Sequence, residues 1–179
     1  MILLRHGQSH FNAAFNRTRI DPEIPDAPLT ETGQAQALAA ASRLAGRGLR
    51  RIVSSPYTRA LQTASIVAEM LELPITIDPL VGERAALSCD IGTPTRELAL
   101  AWPALDLSHL PERWWPELEE PETALRVRAE EFRTLMAGTD DRHAVLVVSH
   151  WGFIRALTGR EVTNCEIVAY DWTAHDGDR

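Results

Sequence analysis

The run Ala144-Val145-Leu146-Val147-Val148 is apolar at every position, without the alternation of a strand that is wet on one face. Such a run suits the centre of a parallel sheet covered on both sides. Ile2-Leu3-Leu4, Ile52-Val53-Ser54 and Ile75-Thr76-Ile77 read as shorter strands, and Ile167 to Trp172 as a last one. Helices are expected between them. Thr30-Glu31-Thr32-Gly33 opens one that runs to Leu44 or Ala45 and is closed by Gly46 and Gly48. Others are expected over Tyr57–Leu71, Thr123–Met136 and about Gly152–Leu157. Strands alternating with helices predict an α/β three-layer sandwich with a mostly parallel sheet. Residues 18–28 read as a loop. The stretch of about 79–122 carries six prolines and reads as an irregular, lid-like insertion in a single domain spanning 1–179, with one short helix at Thr95–Trp102.

In open α/β sheets ligands bind beyond the carboxyl ends of the strands. Three polar motifs fall there: Arg5-His6-Gly7-Gln8-Ser9 after Leu4, Ser54-Ser55-Pro56-Tyr57-Thr58-Arg59 after Val53, and Ser149-His150-Trp151-Gly152 after Val148. A transferring phosphoryl group keeps its charge on three outer oxygens. Planar guanidinium forks suit those oxygens, so Arg5 and Arg59 are the candidate anion holders. A neutral imidazole is a good in-line nucleophile, and an imidazole N–H stabilises developing charge.

In these motifs the sequence resembles the histidine phosphatase superfamily, also called phosphoglycerate mutase-like. The likeness extends through Phe11-Asn12, Leu29-Thr30-Glu31-Thr32-Gly33-Gln34-Ala35-Gln36 and Asn164-Cys165-Glu166. It implies one antiparallel edge strand and a phosphatase that works through a phosphohistidine on His6, with the other ring nitrogen donating to a backbone carbonyl. It implies His150 as the donor across the phosphate. Arg5, Arg59, Gly7 and Asn12 would hold the substrate. Leu80-Val81-Gly82-Glu83 matches the segment that often carries the proton donor, so Glu83 is the candidate acid and Asp90 its rival. Cys89-Asp90-Ile91-Gly92, Trp114-Trp115 and Pro121-Glu122 look like a small-phosphatase branch.

The chain departs from the family pattern at two points. Trp151 stands where many members have Gly; its N–H still suits the phosphate, and its indole either narrows the pocket or packs on the core. The Asn-Glu-Arg-His-Tyr-Gly run of cofactor-dependent mutases is missing, which favours hydrolysis over phosphoglycerate mutase activity. The motifs are also compatible with a protein phosphatase, or with a non-catalytic binding domain on the same fold.

Composition bounds the partners. The net charge of −7, with no basic stripe, disfavours nucleic acid. All 18 basic residues are arginine, which removes lysine chemistry. Cys89 and Cys165 show neither ligand nor redox spacing. His6 and His10 have the spacing of helical zinc ligands but lack the accompanying Glu, so neither metal nor cofactor is expected. His10, His109, His143 and His175 are expected to be structural. Glu117, Glu119, Glu120 and Glu122 read as a solvated acidic face or as a rim that repels highly charged substrates. No window approaches the length of a membrane span and no signal-peptide pattern is seen, so the expected location is cytoplasmic. The expected partner is a small phosphorylated metabolite; a homodimer stays open.

Overall fold

The computed structural model describes residues 1–172; His175 lies outside them. Five strands form one sheet in the order β3-β2-β4-β1-β5. They are β1 (Ile2–Arg5), β2 (Arg51–Ser54), β3 (Ile75–Ile77), β4 (Val145–Ser149) and β5 (Ile167–Ala169). Every pairing is parallel except that of β5 with β1, so β5 is the antiparallel edge. The central position of β4 follows from its composition, since all five of its residues are buried.

Side chains on successive strand residues point to opposite faces. Leu3, Val53, Val145, Val147 and Val168 therefore enter one core with α5 (Glu122–Ala137) and α6 (Trp151–Thr158). Leu4, Ile52, Leu146 and Val148 enter the other, under α2 (Glu31–Leu44) and α3 (Thr58–Leu71). These are the three layers. Thr30 caps α2 by accepting the Gly33 N–H at 3.0 Å, as its place before the helix predicts.

Two elements differ from the sequence reading, each for a physical reason or by a few residues. A helix, α1 (His10–Thr18), follows the first motif, where no helix is legible from apolar spacing. It is fixed by a local device, Ser9 and Asn12 exchanging side chain-to-backbone bonds at 3.1 Å. The last strand ends at Ala169, short of Trp172. In the irregular stretch, the short helix α4 (Thr95–Ala101) forms as expected. Leu98, Leu107, Leu110 and Trp114 gather on Tyr57, Leu61 and Ile77 as a satellite core beside the sheet.

Candidate active site

Strand register brings the three motifs together. Arg5 of β1 lies opposite Ser149 of β4, and Ser54 of β2 opposite Val148. His6 and His150 thus leave neighbouring strands at the same level. The His6 N–H donates to the Ser149 carbonyl at 2.9 Å, continuing the ladder one residue. The imidazole centroids are 5.0 Å apart, about the spacing of adjacent strands.

The tautomer of His6 follows from its partner. Nδ1 lies 2.7 Å from the Gly7 carbonyl, which only accepts, so Nδ1 carries the hydrogen and Nε2 keeps a lone pair. Burial and the neighbouring Arg59 and Arg5 hold this imidazole well below the ordinary histidine value of 6.5, so it is neutral at pH 7. Gly7 is required here: a Cβ on it would sit 2.4 Å from the Gly33 carbonyl oxygen. The Gly7 N–H donates to Thr63 Oγ1 at 3.0 Å, and Thr30 N and Oγ1 both donate to the Gln8 carbonyl. The Thr30–Gly33 segment is therefore the floor on which the first motif rests.

From the other side, the Cys165 N–H donates to the carbonyl of Arg5 at 3.1 Å. Asn164 Nδ2 reaches the His6 carbonyl at 3.1 Å and Asn12 Oδ1 at 3.2 Å. Asn12 Oδ1 also accepts the Ser9 N–H, so its oxygen is occupied and its amide nitrogen is left for the cavity it lines.

His150 is fully buried, and burial and Arg59 lower its pKa well below 6.5. Its Nε2 lies 2.8 Å from Ser55 Oγ, which itself accepts the Tyr57 N–H at 3.4 Å. Donation by the Ser55 hydroxyl to Nε2 leaves Nδ1 as the N–H. That Nδ1 is buried with no hydrogen-bond partner among the described residues, and so is Arg5 Nε. Arg5 lines the cavity; His150 is not among its lining residues and stands 5.0 Å, ring to ring, from His6, which is, and buried donors of this kind suit an anionic ligand. Arg59 is also buried, with Nη1 on the Cys89 carbonyl at 2.7 Å and Nη2 on Asp90 Oδ1 at 3.1 Å. Its guanidinium stands 4.4 Å from the Tyr57 ring.

The two candidate acids differ in what remains of them. Both oxygens of Asp90 are engaged: Oδ1 by Arg59, Oδ2 by the N–H groups of Ala86 and Leu87, each at 3.0 Å. Glu83 places Oε1 on the N–H groups of Arg84 and Gly152, at 2.9 and 2.8 Å. Burial, then the charge of Asp90, raises the Glu83 carboxyl above its ordinary 4.5. A Cβ at Gly152 would meet Glu83 Oε1 at 2.4 Å, so a larger residue there would push the carboxylate out of this position.

Arg5, His6, Asn12, Arg59, Glu83 and Trp151 line one cavity of about 790 Å³. Trp151 both packs against the α5–α6 core and lines the cavity, with the Arg155 guanidinium 5.2 Å from its ring. Of the irregular stretch, residues between Glu83 and Asp90 line the cavity, and so does Glu122 at its end. His10 is exposed, and both cysteines are buried and free. Among the described residues no group of three or more His, Cys, Asp or Glu is arranged to hold a metal ion, and no helix is long and apolar enough to cross a membrane.

The acidic run is not a uniform solvated face. Glu117, Glu119 and Glu122 are exposed, whereas Glu120 is buried and paired with Arg128 at 2.9 Å. Sequence spacing carries no signal for that pair, because its partner lies on another element.

The model of the histidine phosphatase superfamily, branch 1, matches residues 1–176. The chain belongs to that superfamily. Among relatives of this histidine phosphatase, a glucosyl-3-phosphoglycerate phosphatase from Mycolicibacterium vanbaalenii is 33% identical over 168 residues, covering 88% of this chain and 72% of the relative. A probable phosphoglycerate mutase GpmB from Yersinia pestis is 41% identical over 81 residues, which is 45% of this chain and 36% of that protein. The solved structure of mycobacterial glucosyl-3-phosphoglycerate phosphatase with VO3 superposes with a TM-score of 0.66 at 23% identity, over 93% of this chain and 88% of that one. That last likeness concerns the fold.

Proposed function

We propose that this histidine phosphatase, a phosphomonoesterase, works through His6 as nucleophile and Glu83 as proton donor. The observation that carries this is the bond from His6 Nδ1 to the Gly7 carbonyl, which fixes a neutral ring with a free Nε2. Nε2 attacks phosphorus, a P–N bond forms, and the P–O bond to the leaving group breaks. The leaving oxygen takes the proton of the Glu83 carboxyl. Water then attacks the phosphohistidine, Glu83 recovers a proton from it, and phosphate departs from a neutral His6. Arg5, Arg59, the amide of Asn12 and the Nδ1–H of His150 hold the three outer oxygens throughout.

The substrate class is a small phosphate monoester with a further anionic group, of the sugar-phosphoglycerate kind named for the relative. Beyond Arg5 and Arg59, the cavity is lined by Arg19, Arg84, Arg126 and Arg155, six arginines in all against the three acids Glu83, Asp90 and Glu122, the last paired with Arg126. That is more positive charge than one phosphoryl group requires, on a chain whose net charge is −7. Such a cavity favours a small metabolite over a phosphoprotein.

The test is phosphate release, in EDTA, from glucosyl-3-phosphoglycerate, 3-phosphoglycerate, glycerol 3-phosphate and 4-nitrophenyl phosphate, with His6→Ala as the blank. The expected order has the carboxylate-bearing esters ahead of glycerol 3-phosphate by about tenfold in kcat/KM, the worth of one charge-assisted hydrogen bond. Turnover no greater than the blank for every ester overturns the proposal. Isomerised phosphoglycerate without phosphate release would identify a mutase instead.

A further inference from the structure

Glu83 follows a single 3-10 turn, Pro79–Val81, beyond which the segment has neither helix nor strand bonds of its own, and buried irregular backbone needs partners for its carbonyls. Between residues 80 and 83 every carbonyl has one. Ser149 Oγ donates to Val81 O at 2.6 Å. The other three are taken by a single side chain, Arg128 of α5. Its Nη1 donates to Leu80 O at 2.6 Å and Gly82 O at 2.9 Å, and its Nη2 to Glu83 O at 3.2 Å. The remaining donors go to the Glu120 carboxylate, Nε to Oε1 at 3.2 Å and Nη2 to Oε2 at 2.9 Å. A guanidinium has five N–H groups, and these contacts use all of them. Glu120 closes the loop by accepting the Ala85 N–H at 3.3 Å, while its own N–H donates to Ala85 O at 2.8 Å.

We infer that Arg128, oriented by Glu120, is the positioning residue that sets Glu83 at its working distance from the leaving oxygen; this rests on Glu83 being the proton donor. Arg128 is absent from the residues lining the cavity and acts only through the backbone it grips. The planar fork is what the task needs, because three carbonyls and a carboxylate must be held at fixed angles. A lysine at this place has three donors radiating from one atom and no such geometry. A proton donor is effective only within hydrogen-bond reach of its target, and small displacements are costly.

The test uses leaving groups of different need. Glycerol 3-phosphate expels an alkoxide that requires a proton, whereas 4-nitrophenyl phosphate expels a stable phenolate. Steady-state kcat/KM, which reports on the steps through departure of the leaving group and not on hydrolysis of the phosphohistidine, is measured for both with wild type, Arg128→Lys, Glu120→Gln and Glu83→Gln, with thermal melts and the pH profile of kcat/KM. Arg128→Lys is expected to lower kcat/KM on glycerol 3-phosphate by about 10-fold to 100-fold while leaving that on 4-nitrophenyl phosphate within about twofold. Its alkaline limb should move as well. Glu120→Gln should shift the same ratio by a smaller factor, and it decides the matter if Arg128→Lys does not fold. Equal losses on both substrates, or none, overturn the inference. If Glu83→Gln shows the leaving-group dependence and neither Arg128→Lys nor Glu120→Gln does, only the positioning role is overturned. If Glu83→Gln itself spares glycerol 3-phosphate, the proton-donor reading falls, and the positioning role with it.

Discussion

The two sides of the candidate site are built in opposite ways. The wall bearing His6 and His150 grows out of β1 and β4, where strand register alone sets the imidazoles 5.0 Å apart. The wall bearing Glu83 and Asp90 is irregular, and side chains gripping backbone do the work of a ladder: Asp90 on two N–H groups, Arg128 on three carbonyls, Asp21 on the N–H and hydroxyl of Ser88. On the proposed mechanism the first wall holds the group that must not move during attack. The second carries the groups that fit a particular leaving group, and its scaffold is made of individual side chains that substitution alters one at a time.

The hardest blow to the regular wall is Gly7→Ala. The added methyl meets the Gly33 carbonyl oxygen at 2.4 Å, and neither backbone segment is free to retreat. The expected outcome is a loss of about 3 kcal/mol or more in denaturant unfolding and a drop of about 100-fold in kcat/KM on every ester alike, since the whole phosphate pocket shifts. A loss confined to alkyl esters would mean that Gly7 serves the acid side and would break the comparison.

The walls also differ in the sign of their pH dependence. His6 and His150 have pKa values depressed by burial, so below the ordinary 6.5 the unfolded chain binds more protons than the folded one, and stability falls as pH drops. Glu83 is raised above 4.5, so its contribution is full below that value and fades as pH rises through its folded pKa. Melting temperatures between pH 4 and 8 should therefore show an acid loss that His6→Ala reduces and Glu83→Gln does not. Inorganic phosphate should offset part of it if it binds, as proposed, between the two imidazoles.

The same division governs what the sequence reveals. Apolar runs of three to five residues mark strands, and the residues that follow them mark the site, so Arg5, His6, Arg59 and His150 are legible from the sequence. Glu83 is reached only through its likeness to a family segment, and the full engagement of Asp90, which favours Glu83 as donor, is visible only in three dimensions. Arg128 looks like any charge on an amphipathic helix, and Glu120 like one more acid in an exposed run. Their pairing joins α5 to a loop and has no periodicity to betray it. The α1 helix escapes notice for a related reason, since one cap rather than an apolar stripe starts it.

The covalent step remains the most direct point of attack. Enzyme mixed with substrate and quenched in base within milliseconds should yield a phosphoryl adduct that is labile in acid, one phosphoryl heavier than the chain, and carried on the peptide containing His6. An adduct on another residue, or burst-free hydrolysis at the wild-type rate by His6→Ala, would contradict the account.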